Sequence, residues 1–525
     1  MKKIIAIFIS LAALLSGCAV GRDTPAPRDD TLVIAITRDE NTLTPYTYVT
    51  GTPGLEVMRL VYDSLFTFGI DGGVIPWMVD SYTICAHSRV YTMTLSAGQY
   101  WHDGTALTAG DVEFTFEYAL TQNRSRWRAI AGQVESIETD GREITITLTD
   151  GNPDFLRSGL ADMPIIPRHV FENVEDASLF DGPTIGSSLF RLTQYRIGQY
   201  YVFEAVEGYF RGEAAVSRIN MPIITDPAAV SQALIAGQIA AATRSVPFET
   251  LDAFSDADGI EIMSGRGYSP TMLLFNCHRG LLSDPLFRRA IIHAMDIDAM
   301  MNTVTLGRAT LGSPGFSDMP DVVYLHNSVA AAMIFDQLGL TVRDSDGLRL
   351  HDGEPVTFSL LVQSASPNRI RAAELISAYL REVGIGVTVV AMESDTVDAH
   401  VWPGFDVSQG HQRDFDMTMW GWSAATRLDP AFIVRLGASD HAVGDLNLGG
   451  FVNARFDELS RAYLDTTDAQ TRAEFSEAMQ QVFAQYAPFV NLWYEDLHFA
   501  VNTDDFDGWV FQMGVGVVNR FSFLV

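Results

Sequence analysis

Cysteine is scarce: the 525-residue chain carries Cys18, Cys85 and Cys277, and none stands in a CxxC pair. At most one disulfide joins Cys85 to Cys277, and two buried thiols are the alternative. Basic residues are few as well, 35 against 65 acidic ones, for a net charge of −30. That argues against nucleic acid, whose phosphates need a basic face, and against electrostatic docking on anionic lipid. After the N-terminus no apolar run approaches the ~18 residues a spanning helix needs. Catalytic signatures are missing too. There is no GxSxG, HExxH, Walker loop or GxGxxG, and Gly312-Ser313-Pro314-Gly315 lacks the spacing of a nucleophile elbow. The 11 histidines are dispersed, with no i, i+4 pair to put two imidazoles on one helix face. An enzyme is therefore not expected, although a triad assembled from distant residues leaves no local motif. No cofactor is implied, and no internal repeat is visible.

What is present begins with Lys2 and Lys3 ahead of the apolar run Ile4 to Leu15, the layout of a secretory signal. Leu15-Ser16-Gly17-Cys18 resembles a bacterial lipobox, which implies lipidation of Cys18 and an extracytoplasmic location at a bacterial membrane. Residues 1–17 are then the signal peptide. Residues 18–30, with Pro25 and Pro27, form a tether between lipid and fold.

The strongest pattern runs from Arg89 to Leu120. Val90 to Leu95 alternates apolar and polar residues as a half-buried strand does, and Tyr100-Trp101-His102-Asp103-Gly104-Thr105 contains turn chemistry at Asp103-Gly104. Thr108 with Asp111 three residues on predicts an acidic capping box, followed by the apolar positions Val112, Phe114, Phe116, Tyr118 and Ala119. This order of strand, WHDG turn and capped helix resembles a signature of the family 5 extracellular solute-binding proteins, the oligopeptide, dipeptide and nickel binders that serve ABC importers. Three further passages are similar to that family: Tyr209-Phe210-Arg211-Gly212, the helix from Ala228 that ends at Gly237-Gln238, and Phe275-Asn276 followed by Ser283-Asp284-Pro285. The resemblance spans about residues 31 to 520.

It implies an α/β fold, a two-lobed clamshell like the periplasmic binding proteins, of class II and large, with an extra subdomain in lobe one. Lobe I is expected at 31–60, 185–275 and 490–525, the subdomain at 61–184 and lobe II at 276–489. The residues support parts of this directly. Leu32 to Ile36 is a short apolar run that fits a strand buried on both faces. Asp140-Gly141 marks a hairpin, and Asp284-Pro285 a helix start. Val356 to Val362, the helix Arg369 to Val383 stopped by Gly384, and Ile385 to Ala391 form a βαβ unit. A strand at Phe415 to Trp420, a helix at Ala473 to Tyr486 and a crossing strand at Phe489 to Tyr494 complete the expectation.

For function, the resemblance implies capture of a solute, foremost a peptide, by hinge closure and delivery to the permease of an ABC importer, by a monomer. A nickel or metal chelate and a non-transport sensor role stay open. Candidate ligand-binding residues are Tyr46 and Tyr48 in the loop after the first strand, and Trp420, Gly421 and Trp422 at the end of a lobe II strand. Trp402 and Asp429 are weaker candidates, and His411 is a metal candidate because nickel-binding relatives use a histidine in this cleft. Asp398, His400, His411, Asp414 and Asp416 have a metal-like composition, with a solvated acidic loop as the alternative. Peptide-binding members carry an Asp, for the ligand's free amino terminus, where this chain has Ala425. A charge-assisted bond of roughly 1.5–3 kcal/mol is thereby missing at that position.

Overall fold

The computed structural model describes residues 31–41, 43–47, 54–85, 87–122, 127–267, 269–312, 324–401, 413–422, 432–441, 446–466 and 468–525. The first strand, β1 (Thr31–Ala35), lies inside its sheet with core on both sides: Leu32 and Ile34 join one cluster and Val33 and Ala35 another. The chain then enters the subdomain. A hairpin of β2 (Phe66–Phe68) and β3 (Val74–Pro76) leads to β4 (Val79–Cys85) and β5 (Val90–Leu95), and a second hairpin follows as β6 (Val134–Asp140) and β7 (Glu143–Leu148). These last four make an antiparallel sheet in the order β4-β5-β7-β6. Gly141 turns the β6–β7 hairpin at φ +63°, where a side chain would be strained.

The WHDG passage is the seam between this subdomain and the first lobe. Asp111 accepts hydrogen bonds from the Thr108 N–H at 2.8 Å and hydroxyl at 3.0 Å, which fixes the start of the helix Ala109–Thr121. His102 accepts the Gly186 N–H on Nδ1 at 3.2 Å, and its Nε2 lies 2.9 Å from the Ser188 carbonyl. A ring that accepts on one nitrogen and donates from the other is neutral. Burial pushes its pKa down to about 4, although the Ser188 carbonyl opposes this. The unfolded chain therefore takes up a proton first, near pH 6.5, and stability falls between that pH and about 4. The loss is about 2–3 kcal/mol. Urea unfolding at pH 7 and pH 4.5 should show a smaller drop for His102→Gln than for the native chain.

From Leu189 the chain returns to the first lobe. Its strands are β8 (Phe190–Arg196), β9 (Tyr200–Ala205), β10 (Arg218–Pro222) and β11 (Ala241–Ala242), in a sheet ordered β11-β1-β10-β9-β8. β1 runs parallel to β10 and β11, and β10 antiparallel to β9. Asp63, fully buried, ties the parts together. It pairs with Arg520 at 3.1 Å and accepts from the Trp77 indole at 3.0 Å and the Tyr209 hydroxyl at 2.9 Å. Burial raises its pKa in spite of these partners.

β12 (Ile260–Gly265) is the last strand before the crossing. β13 (Pro270–Phe275) already belongs to the second lobe, where it stands beside β14 (Ala309–Leu311) in sequence and precedes a small hairpin, β15 (Leu350–His351) with β16 (Glu354–Pro355). β17 (Thr357–Gln363), the helix Pro367–Glu382 and β18 (Gly386–Met392) form the βαβ unit, with the strands parallel from Thr357↔Gly386 to Gln363↔Met392. β19 (Met417–Trp420) and β20 (Phe489–Glu495) complete a six-stranded sheet in the order β14-β20-β13-β19-β17-β18. Finally β21 (Leu497–Asn502) pairs antiparallel with β12 in the first lobe, and Phe523 near the C-terminus packs in that lobe's core.

Three expectations shift. β13 and β20 pair with each other from Pro270↔Tyr494 onward within the six-stranded sheet, so Pro270–Phe275 and Phe489–Glu495 stand in one sheet and are not divided at 276 and 490. The βαβ helix starts at Pro367 behind Ser366, not at Arg369. Cys85 is exposed at the end of an edge strand and Cys277 is half-buried in the second lobe, and both are free thiols. Among the described residues no helix is long and apolar enough to cross a membrane. The signal and tether lie outside the described residues.

Candidate functional site

Strand direction locates the site. β13 begins at the crossing, and Met272 stands opposite Trp420, so β19 ends at the same edge. β17 is parallel to β19 and to β18, which brings Gln363 and Met392 to that edge as well. The helix Pro367–Glu382 starts there, four residues after β17. Ligands of such sheets bind off the carboxyl ends of the strands, where helix N-termini present free N–H groups and partial positive charge. The edge of the lobe II sheet that faces the crossing is therefore the floor of a cleft.

Two charged side chains stand on this floor. Arg369, in the first turn of its helix, lies against Gly421 and donates to Gln363 Oε1 at 3.5 Å. Burial draws its pKa below the usual arginine value, opposed by Glu495. Glu495 ends β20 next to the second crossing. Burial raises its pKa, Arg369 opposes the rise, and Glu249 from the first lobe adds to it. On the first-lobe side a hollow of about 680 Å³ opens beside the crossing, lined by Ile70, Ile75, Arg266, Phe511, Met513 and Phe521 among others. The Arg266 guanidinium reaches over the Tyr494 ring of lobe II at 5.0 Å. Apolar walls with a few convergent polar groups are what a solute site of this size needs.

The residues chosen from sequence fall in different places. Gly421 is at the floor, and its role follows from its neighbours: a Cβ there would lie 2.6 Å from the Pro270 carbonyl oxygen and would collide with Arg369. Gly421→Ala is thus expected to displace Arg369 or the start of β13 and to lower stability by about 1–3 kcal/mol, read from the urea midpoint. Trp420 and Trp422 lie on the opposite face from Gly421, as alternation requires. Trp420 is 6% exposed and packs with Met272, Leu274 and Phe432 in lobe II core. Trp422 is half-buried, with its ring 6.0 Å from Trp420 and 5.7 Å from Phe432, both edge-on. The void they share is about 10 Å³, enough for one water at most.

Tyr46 belongs to the seam with the subdomain, where its ring meets Tyr118 at 5.5 Å and Trp127 at 5.9 Å, both edge-on, and burial raises its pKa. Tyr48, Trp402, His411 and Asp429 lie outside the described residues, as does Ala425. The acidic cluster does not come together in the described part. Asp398 meets Gln363 at 3.5 Å, His400 lies 3.5 Å from Asp414, and Asp416 accepts from Ser359 and Arg279. Among the described residues no group of three His, Cys, Asp or Glu side chains is placed to hold a metal ion.

Sequence reasoning missed Arg369 and Glu495. A signal for the first was available: a cation in the first turn opposes the helix dipole, so it is poor helix chemistry and needs another reason to stand there. Glu495 carried no comparable mark within its apolar run.

A profile described as bacterial extracellular solute-binding proteins, family 5, middle region, matches residues 73–443. The oligopeptide-binding protein AppA of Bacillus subtilis is 24% identical over 95% of this chain and 94% of its own length. The nickel-binding periplasmic protein of Escherichia coli is 24% identical over 68% of this chain and 70% of its own. Among solved structures, the ABC transporter substrate-binding protein CtaP of Listeria monocytogenes superposes with a TM-score of 0.82 at 21% identity, covering 94% of this chain and 99% of that one.

Proposed function

Since this chain belongs to the family 5 bacterial extracellular solute-binding proteins, we propose that it captures a peptide between its two lobes by hinge closure and presents the closed form to the permease of an ABC importer. The observation that carries the reading is the cleft: it lies where the chain passes from β12, ending at Gly265, to β13, beginning at Pro270, and from β20 to β21 at Asp496, with charged groups of lobe II on one side and an apolar hollow of lobe I on the other. Closure needs a ligand that interacts better with the closed arrangement than with the open one, so groups from both lobes have to face it. Near end-to-end alignment with an oligopeptide-binding relative supports peptide as the solute class. In this reading lobe I comprises 31–60 and 185–265 with the C-terminal segment from Leu497, 61–184 is its subdomain, and lobe II is 270–495. Binding and delivery, not catalysis, are its work. Extracytoplasmic location fits the family, and attachment through lipidated Cys18 is part of the proposal.

The test is thermal melting of the mature protein with a mixed peptide digest. A ligand that binds only the folded form adds RT ln(1 + [L]/Kd) to its stability, so the midpoint should rise with digest concentration. A midpoint that ignores peptides but rises with chelated nickel would move the solute class to metal complexes and bring His411 forward.

A further inference from the structure

The hollow of lobe I is more apolar than a peptide backbone requires. Its walls are Ile70 and Ile75 of the β2–β3 hairpin and Phe511, Met513 and Phe521 of the C-terminal segment. Ile70 is 49% exposed, so this apolar wall faces solvent. The two charged residues of the lining are engaged elsewhere. Asp71 accepts the Gly73 N–H on Oδ1 at 2.9 Å inside its own turn, and the Arg266 guanidinium lies over the Tyr494 ring. A polar group placed against such walls loses water without a matching partner, whereas an aliphatic or aromatic group gains by burial.

The walls are fixed from behind. The Met513 N–H donates to the Ile70 carbonyl at 2.9 Å, and the Gln512 side-chain amide donates to the Phe68 carbonyl at 2.8 Å, which ties the hairpin to the C-terminal segment. The Phe511 ring meets buried Phe499 at 6.0 Å and the Phe521 ring meets buried Trp77 at 5.8 Å, both edge-on. Rings held by such neighbours are ordered before a ligand arrives, so little ordering entropy opposes its entry. The hollow also reaches the hinge. Gly265 at the end of β12 and Arg266 after it belong to the lining, and a Cβ on Gly265 would collide with the Phe511 ring. A group lodged against Phe511 is therefore held at the passage between the lobes, where the rest of the ligand meets lobe II.

We infer that this hollow is a subsite for a bulky apolar group of the ligand, and that Ile70, Phe511 and Met513 set a preference for peptides carrying a large aliphatic or aromatic side chain. The inference rests on the peptide reading above and names the subclass. An aromatic side chain has about 150–250 Å² to bury. A hollow of about 680 Å³ admits it without displacing a wall. Full burial of one such side chain corresponds to about tenfold to a hundredfold in affinity over a peptide with a small polar residue in its place.

The test uses the full mature chain and four pools of glycine-alanine hexapeptides that carry a single Phe, Leu, Ser or Glu at each position in turn. Retention is measured by ultrafiltration and mass spectrometry. The native protein should retain the Phe and Leu pools about tenfold or more over the Ser and Glu pools. Ile70→Asp and Met513→Asp, which put a carboxylate on the wall, should each lower the ratio of Phe to Ser retention by about fivefold or more. Met513→Leu, which keeps the wall apolar, should keep the native ratio. Circular dichroism and melting establish that each variant is folded before it is scored. Equal retention of the four pools by the native protein would overturn this inference alone. So would folded aspartate variants that keep the native ratio, whether they hold every pool as the native chain does or lose all of them in the same proportion. Retention of no peptide from any pool would overturn the peptide reading and this inference with it.

Discussion

Asp63→Leu is expected to cost about 3–5 kcal/mol of unfolding free energy, the largest effect of any single substitution considered for this chain. The carboxylate is fully buried and holds Arg520, Trp77 and Tyr209 at once. Leucine fills similar space but leaves the Arg520 guanidinium, itself 5% exposed, buried without its counter-charge. Its remaining contacts, the Arg59 carbonyl at 2.9 Å and the Trp77 ring at 4.7 Å, do not replace an anion. These four residues come from the start of the subdomain, its β3–β4 connection, the first lobe and the C-terminal segment, so the loss should loosen the joint between them. Urea unfolding followed by far-ultraviolet circular dichroism reads the cost. The double variant Asp63→Leu with Arg520→Met should recover most of it, because removing both charges avoids the uncompensated one. An Asp63→Leu unfolding free energy within about 0.5 kcal/mol of the native value would show that this network does not hold the joint.

The second large effect concerns closure. Arg472, on the lobe II helix Ala469–Tyr486, pairs with Asp154 of the subdomain, and its guanidinium also lies 4.2 Å from the Tyr463 ring centroid. The two side chains are 9% and 15% exposed, between an exposed pair, worth ~0–1 kcal/mol, and a buried one. This contact links the second lobe to the first-lobe subdomain at a place remote in sequence from both crossings, so it stabilises only arrangements in which the lobes meet. Arg472→Met keeps the packing on Tyr463 and removes the charge. It should disfavour the closed form by about 1–2 kcal/mol and weaken peptide binding by about tenfold, with the change in the dissociation rate. Stopped-flow fluorescence with the peptide digest reads that rate. An unchanged rate would show that the pair is ornament at the surface of the open protein as well as the closed one.

Most of the scaffold was legible in the residues because local chemistry and tertiary role agree. Thr108 with Asp111, Asp284 with Pro285, and Asp140 with Gly141 announce their caps and turn, and each stands where expected. The βαβ unit was legible because the spacing of Ile370, Ala373, Ile376 and Leu380 is helical and that face is the one packed on the sheet. The crossings were not, since β13 is apolar from Pro270 to Phe275 and nothing in such a run tells which lobe it serves. The site was less legible still. Trp420 is conspicuous in sequence and sits in core, because a large ring at the end of a strand fills the lobe as readily as it faces a ligand. Arg369 carries a mark in sequence, a cation in the first turn of a helix, but only the fold reveals that this turn is the one at the cleft. Gly421 links the two: its bare Cα is what allows Arg369 to lie beside the start of β13.

The central claim is that the cleft holds a peptide, and native mass spectrometry of the gently isolated protein tests it most directly. The account predicts adducts that dissociate on activation into peptides of mixed composition. Adducts that release a metal ion or metal chelate in place of peptides would contradict it.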